Sequence, residues 1–315
     1  MSTRQYTWFT LTIFIIAANC YADFNDGMQA MQSKNYTDAY KYFIRDGSAD
    51  SMYALGVMYY EGYGVARDYK EAANWYAKAA AKGYPSAQSN LGALYEQGLG
   101  VKQDISEAAK LYRKASDQGC PEGIYNLAKC YYSGKGVAKN IDEALKLLKL
   151  SADNGFADSM NDLGAMYNEG YGVTRDYKEA ADWYAKAAAK GHSSAQSNLG
   201  ALYEQGLGVK QDISEAAKLY RKASDQGCPA GIYNLAKCYY SGKGVVKNID
   251  EALKLMKLSA DNGFAEAQYT YGVTYIEGLG SIRRNYELGK KYIIMAAKQG
   301  HAKAIKILNE LRIKY

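Results

Sequence analysis

The chain of 315 residues contains only three prolines and two histidines. Few prolines and no low-complexity stretch leave no candidate linker, so we expect one continuous folded body. His192 and His301 each follow a glycine directly and have no acid or cysteine at ligand spacing along the sequence. That pattern disfavours a metal site or a histidine general base. No metal and no cofactor are therefore predicted.

Charge of one sign is not concentrated anywhere in the sequence. The formal net charge is +6, and lysines alternate with acidic residues throughout. This pattern indicates a soluble surface rather than a phosphate-binding one, so no nucleic-acid partner is expected. The glycine loops follow predicted helices instead of strands, which disfavours phosphate-binding loops. Because no Ser/His/Asp or paired-carboxylate arrangement can be assembled either, no catalytic residue is predicted.

Long apolar runs are also absent, and the one short run lies near the N-terminus. Trp8 to Ala18 is an uncharged apolar run of 11 residues, whereas a membrane-spanning helix needs about 20. Its length fits a secretory signal, and cleavage after Ala22 would make residues 1–22 a signal peptide. We therefore expect a periplasmic or secreted protein without stable membrane insertion. A lipoprotein signal with Cys20 as the lipidated residue is the alternative, although Ala17 and Asn19 depart from the usual motif.

Repetition is what the sequence has in abundance. The 36 residues from Ser86 to Pro121 return unchanged from Ser194 to Pro229. A large central residue recurs every 36 positions, at Leu55, Leu91, Leu127, Leu163, Leu199, Leu235 and Tyr271. A fixed period in this range indicates a solenoid, in which no unit buries its apolar face alone. Residues 50–157 also match residues 158–265 with 11 differences over 108 positions, which indicates a duplicated block.

Each unit is predicted to be two helices joined by a glycine loop. In the second unit Ala87, Leu91 and Leu94 share one helix stripe, and the helix ends at the loop 98–101. The second helix begins after Asp104, whose side chain can cap the first-turn amides. Glu107 is predicted to reach back to the cap, completing a capping box. A small residue beside each central leucine is explained by close helix packing, since glycine inside a helix is otherwise unfavourable.

The two ends of the array are predicted to be capping helices. Residues 23–49 form an N-terminal helix pair, residues 50–301 hold seven repeats, and residues 302–315 form a C-terminal helix. Terminal units of a solenoid differ from the others because one side faces water. The apolar positions of the last helix are predicted to be Ile305, Leu308, Ile313 and Tyr315.

These elements together resemble a known repeat family. The LGxxY, GxGV, D/NxxEA and WY elements, with a closing glycine and a 36-residue period, are similar to Sel1-like repeats, a subclass of the tetratricopeptide-type α-solenoids. The resemblance spans residues 50–301 and implies an exported bacterial protein. It implies an all-α, right-handed α/α superhelix of seven helix-turn-helix repeats with terminal capping helices. It also implies a non-enzymatic scaffold or adaptor that binds a protein or peptide on a concave face lined by the first helices.

Two other classes of function stay open at this point. Some secreted relatives are described as binding or hydrolysing penicillin, so the resemblance also allows a cell-wall-related or β-lactam-binding enzyme, for which no nucleophile is found. A purely structural spacer in the envelope is the third class. We expect a monomer.

Four cysteines remain after the predicted signal. Some secreted relatives have a disulfide in every repeat, so pairing of these four must be considered. Ten helical residues would place Cys120 and Cys130 about 15 Å apart, well beyond the roughly 7 Å that a disulfide allows between Cα atoms. Cys228 and Cys238 have the same spacing. We predict four free thiols, with Cys130 and Cys238 as small buried apolar residues.

The candidate binding site is a row of positions just before the central residue of each first helix. Asparagine carries both a donor and an acceptor and can pair with any extended peptide backbone, and tyrosine adds contact area. The predicted binding residues are Tyr53, Asn90, Tyr125, Asn126, Asp162, Asn198, Tyr233, Asn234 and Tyr269. An ordinary solvated helix face is the alternative. The duplicated block could give bivalent binding or could only lengthen the array.

Overall fold

The computed structural model describes residues 23–280 and 282–314. The predicted signal peptide over residues 1–22, with Cys20, lies outside these ranges, as does the predicted apolar position Tyr315. The chain divides into two compact units, of which the first ends at Phe156 and the second begins at Ala157.

Residues 23–156, the described part of the first unit, form eight helices and the loops between them. A helix over residues 23–32 is α1. The others are α2 (Tyr36–Asp46), α3 (Ala49–Glu61), α4 (Tyr69–Ala81), α5 (Pro85–Gln97), α6 (Ile105–Asp117), α7 (Pro121–Ser133) and α8 (Ile141–Asp153). Thus three repeats of two helices follow an N-terminal helix pair.

The second unit continues the same pattern. Its helices are α9 (Ala157–Glu169), α10 (Tyr177–Ala189), α11 (Ser193–Gln205), α12 (Ile213–Asp225), α13 (Pro229–Ser241), α14 (Ile249–Asp261), α15 (Ala265–Glu277), α16 (Tyr286–Lys298) and α17 (Ala302–Glu310). The residues that the structure describes contain no strand. The predicted fold class, an all-α solenoid of helix-turn-helix repeats, is confirmed.

The two helices of a repeat pack closely because a glycine of the first faces a buried ring of the second. A Cβ added at Gly92 would lie 2.8 Å from the ring of Tyr112, and one at Gly200 would lie 2.7 Å from the ring of Tyr220. Both tyrosines are 1% exposed. Where the second helix carries Leu148 or Met256 at this position, the residue beside the central leucine is alanine, at positions 128 and 236. In the first six repeats glycine thus faces a tyrosine ring and alanine faces a smaller side chain, whereas Gly272 of the seventh faces the Gly289 backbone and Ile293.

Within each unit, a loop glycine approaches the backbone of the preceding repeat very closely. Gly100 has φ +69°, and a Cβ there would lie 2.2 Å from the backbone of Tyr69 at the start of α4. Gly208 approaches Tyr177 of α10 equally closely, with a Cβ contact of 2.0 Å. Only glycine combines this backbone conformation with such a close approach. The GxGV loops are therefore packing elements between successive repeats.

The start of each second helix is capped by one side chain, as predicted, but not by a capping box. The Asp104 carboxylate accepts from the Glu107 backbone N–H at 2.9 Å. The predicted return bond from Glu107 is wrong, because the Asp104 N–H instead donates to the Tyr95 carbonyl at 3.0 Å. The Glu107 carboxylate pairs with Lys110 at 3.1 Å. The second copy repeats this arrangement at Asp212.

The terminal helices cover the ends of the repeats. Ala39 and Phe43 of α2 are buried with Leu55 and Met58. At the other end, Leu308 of α17 is buried, while Ile305 and Ile313 pack partly against the same cluster. The predicted helix over residues 302–315 is too long. It ends at Glu310, and Arg312 has a positive φ of 55° that a continuing helix does not allow.

We expect Gly200→Ala to destabilise the protein by about 1–3 kcal/mol through overpacking against Tyr220, despite the better helix propensity of alanine. Tyr220→Leu should be destabilising alone, yet the double variant should lose at least about 1 kcal/mol less than the sum of the two. Urea unfolding of the four proteins measures this coupling. Strictly additive losses would show that the ring does not set the choice of glycine.

Substitutions at Asp104 and Glu107 test the two parts of the predicted capping box separately. Asp104→Ala should lower the free energy of unfolding by about 1 kcal/mol, because it leaves first-turn amides without their acceptor. Glu107→Ala should cost only a few tenths of a kcal/mol, about the value of an exposed ion pair. Both are measured by urea unfolding, with Glu215→Ala as the matched control in the second copy. Equal losses from the two changes in α6 would restore the capping box.

Candidate functional site

The nine predicted binding residues all lie on first helices and are half-buried. In the first unit Tyr53 lies on α3, Asn90 on α5, and Tyr125 and Asn126 on α7. In the second unit they lie on four successive first helices: Asp162 on α9, Asn198 on α11, Tyr233 and Asn234 on α13, and Tyr269 on α15. The row therefore lies between the core and the solvent.

Hydrogen bonds join the row from one repeat to the next, and sequence reasoning missed them. In the first unit Asn90 Nδ2 donates to the Tyr53 hydroxyl at 3.5 Å, and Asn126 Nδ2 donates to Ser89 Oγ at 3.2 Å. Each bond links positions 37 residues apart, one residue more than the repeat. The sequence signal that could have predicted these bonds is the spacing of 37 residues between polar positions in neighbouring repeats.

The second unit carries the same series of hydrogen bonds along the row, and we call this series the ladder. Asn198 Nδ2 donates to Asn161 Oδ1 at 3.2 Å, and Asn234 Nδ2 donates to Ser197 Oγ at 3.3 Å. The hydroxyls of Tyr233 and Thr270 lie 3.1 Å apart at the next step. In both units, then, side chains one repeat apart along the row contact each other directly.

The ladder changes how the asparagines can act. A side-chain amide has two donor hydrogens and an acceptor oxygen, so one bond along the row orients it and leaves further bonding capacity. Ser89 and Ser197, which accept two of these bonds, are each only 2% exposed. These serines are therefore buried acceptors for the next repeat.

The tyrosines of the row pack against the residue that follows a closing glycine. The ring centroid of Tyr53 lies 5.0 Å from that of Tyr84, and Tyr125 lies 5.2 Å from Phe156. Tyr233 contacts Phe264 at 5.5 Å, and Tyr269 stacks on His301 at 4.7 Å. Burial raises the pKa of Tyr53 and of Tyr233. These rings are held in place before any ligand binds.

Lysines lie over three tyrosine rings of the row. The distances from Nζ to the ring centroid are 5.3 Å for Lys129 over Tyr125, 5.8 Å for Lys237 over Tyr233, and 6.0 Å for Lys303 over Tyr269. The position that corresponds to Lys129 in the first repeat is Val57. Some repeats of the row therefore carry a lysine over the tyrosine ring, whereas the first repeat does not.

Both histidines cap helices, and each lies near an acid of the preceding repeat. His301 Nδ1 accepts from the Ala304 N–H at 3.2 Å, and its Nε2 lies 2.7 Å from Glu266. His192 caps α11 in the same way, with Nε2 3.6 Å from Asp158. Glu266 is 35 residues from His301 along the chain, so no local spacing indicates this contact. Because Nδ1 accepts, Nε2 carries the proton toward the carboxylate, which gives the ring a structural role.

The four described cysteines, at positions 120, 130, 228 and 238, are buried free thiols. Burial raises the pKa of Cys130 and of Cys238 to about 11, so both are poor nucleophiles at neutral pH. Within residues 23–280 and 282–314, no three His, Cys, Asp or Glu side chains converge to hold a metal ion. The helices of these two ranges are each too short or too polar to cross a bilayer.

A series of two-helix repeats with a recurrent polar row on the first helices defines a helical-repeat protein. Seven consecutive segments match the Sel1 repeat family, over residues 49–84, 85–120, 121–156, 157–192, 193–228, 229–264 and 265–301. The chain therefore belongs to the Sel1 repeat family. No curated protein matches the chain.

Two solved structures support this membership. The chain is 33% identical to a protective antigen of uropathogenic Escherichia coli strains that displays an SLR fold, with a TM-score of 0.66 over 93% of this chain. It spans 64% of that protein's length. It is 32% identical to a Sel1 repeat protein from Oxalobacter formigenes, with a TM-score of 0.69, over 78% of this chain and 96% of the other.

Family membership sets the broad class of function. Sel1 repeat proteins are generally non-enzymatic scaffolds for protein interactions, so the partner expected for this chain is a protein.

Proposed function

We propose that this chain is an exported scaffold that binds an extended segment of a partner protein along its first helices, on the concave face. The ladder of hydrogen bonds is the observation that carries the proposal. It fixes one polar side chain per repeat in a half-buried row, in register with the next repeat. An extended peptide offers backbone donors and acceptors at regular intervals, which such a row can meet without reading its sequence.

The packed tyrosines support the same proposal. Tyr125 and Tyr233 each contact a neighbouring ring and lie beneath a lysine ammonium group, so little side-chain freedom is lost on binding. Aromatic rings fixed beside polar groups are common in interfaces that bind through a large contact area. The row thus combines polar recognition with preorganised aromatic surface.

The double variant Asn126→Ala/Asn234→Ala tests the row. The partner is first identified by crosslinking mass spectrometry, and its affinity is then measured by titration calorimetry. Each lost hydrogen bond is worth about 0.5–1.5 kcal/mol, so the dissociation constant should rise roughly 5- to 100-fold for the pair. Lys110→Ala, on the exposed surface of a second helix, is the control and should leave affinity unchanged. If the double variant is folded and its affinity is unchanged, the row is not part of the interface.

Export is tested through the apolar run near the N-terminus. Ile13→Asp places a charge in the middle of that run, so the exported fraction should fall at least about tenfold. Amino-terminal sequencing of the exported wild-type chain should begin at Asp23, whereas a diacylglyceryl mass on Cys20 would select the lipoprotein alternative. Exported protein that still begins at Met1 would contradict the predicted signal.

A further inference from the structure

Two adjoining cavities in the first unit form a groove beside the start of the row. One, of about 300 Å³, lies between α3 and α5 and includes Asn90 in its wall. The other, of about 210 Å³, lies between α1 and α3. Tyr53 and Val57 line both cavities. We call this the N-terminal groove, defined by Met28, Tyr53, Ala54, Val57, Tyr60 and Tyr84.

The walls of the N-terminal groove are largely apolar. Phe24, Met28 and Met31 of α1 face Val57 and Tyr53 of α3 across the smaller cavity. Met28 is 39% exposed although its neighbours are apolar. Methionine side chains adapt to different apolar ligands, so this edge suits a bulky side chain from outside.

The duplicated block shows that the same two helices also form with a different lining. Of the 11 differences between residues 50–157 and 158–265, five fall on the groove. The replacements in the second copy are Asn161 for Tyr53, Asp162 for Ala54, Ala165 for Val57, Asn168 for Tyr60 and His192 for Tyr84. Four of the five are polar or charged, while α9 and α10 form as α3 and α4 do. The aromatic set is therefore a property of the first copy's surface.

Side chains of the second copy engage one another in polar contacts. Asn161 Nδ2 donates to Asp162 at 3.2 Å, and Asn161 Oδ1 accepts from Asn198. His192 lies beside Asp158 rather than a tyrosine ring. The same helix face thus offers an aromatic surface in one copy and a hydrogen-bonded polar surface in the other.

The charged residues that line the N-terminal groove indicate the kind of ligand that it can bind. Among the described lining residues, the charged side chains are Asp50 at one end and Glu61 at the other. The lysine that covers Tyr125 and Tyr233 in other repeats is replaced by Val57 here. An apolar floor between two carboxylates is complementary to a large apolar side chain with a cationic neighbour.

We propose that the N-terminal groove binds an aromatic or large aliphatic side chain of the partner segment, with a lysine or arginine next to it. This proposal rests on the proposed function and gives the bound segment its chemistry. It makes the two copies unequal, because only the first anchors an apolar side chain. The duplicated block is then one anchor site followed by a polar row, instead of two equivalent sites.

Selection of random peptides displayed on phage against the full chain tests this proposal. Selected peptides should carry Trp, Phe, Leu or Met beside Lys or Arg. The triple variant Tyr53→Asn/Val57→Ala/Tyr60→Asn installs the second copy's residues and should weaken a selected synthetic peptide at least tenfold by fluorescence anisotropy. Asn168→Ala in α9, at the position that corresponds to Tyr60, is the matched control and should change affinity less than twofold.

A charge-only variant keeps the test valid if the triple variant unfolds. Glu61→Gln leaves the groove's shape intact, so affinity for the selected peptide should fall about two- to fivefold, with a weaker dependence on salt. Identical affinity and salt dependence for Glu61→Gln would overturn the cationic part of the proposal. Circular dichroism confirms that each variant is folded.

The remaining outcomes separate the groove from the wider function. If peptide binding requires Asn126 and Asn234 but its affinity is unchanged in the triple variant, the scaffold function is retained and the groove proposal is overturned. If no peptide is selected, both proposals fail. Photo-crosslinking from Met28→p-benzoyl-phenylalanine should label the peptide. Crosslinks to residues 1–22 of the chain or to a second copy would assign the groove to those occupants and overturn the proposal.

Discussion

The contact on which the structure depends is the close approach of two helices within each repeat. A buried tyrosine such as Tyr112 or Tyr220 fits against a helix only where the facing residue is glycine. Glycine weakens an isolated helix, but here the loss is offset by burial of a whole ring, which is worth about 1.5–3 kcal/mol. Where the buried side chain is Leu148 or Met256, alanine returns at the facing position. Every other feature of a repeat is built on this pairing.

Contacts between repeats follow from the same geometry. Once the two helices are locked together, the loop glycine at position 100 reaches the backbone of Tyr69 in the preceding repeat. The row of asparagines is then placed within hydrogen-bond distance of the repeat before it. Because one repeat supplies an acceptor to the next within each unit, polar groups that would be costly to leave unpaired in a half-buried position are satisfied along the row. The candidate site is a consequence of stacking.

Differences between near-identical copies carry information that the repeat itself does not. Residues 50–157 and 158–265 build the same helices, so differences at partly exposed positions can change the surface chemistry without changing the fold. Five of these differences fall on one groove, where Tyr53 and Tyr60 stand in place of Asn161 and Asn168. A scaffold built from duplicated units can thus acquire a distinct anchor without altering its core. The acidic ends of the groove then narrow the choice of ligand further.

The sequence by itself determined the helical period, the two helices of each repeat and the N-cap residues, because these depend on neighbours within a few positions along the chain. It also placed the candidate row on the first helices, where all nine residues are found. Only the tertiary structure decided what those side chains contact. The Asn126–Ser89 bond, the carboxylate beside His301 and the amide of Asp104 turned toward Tyr95 each depend on how chain segments approach in space. Such approaches are set by the volume of buried side chains and by loop geometry, which no local pattern specifies.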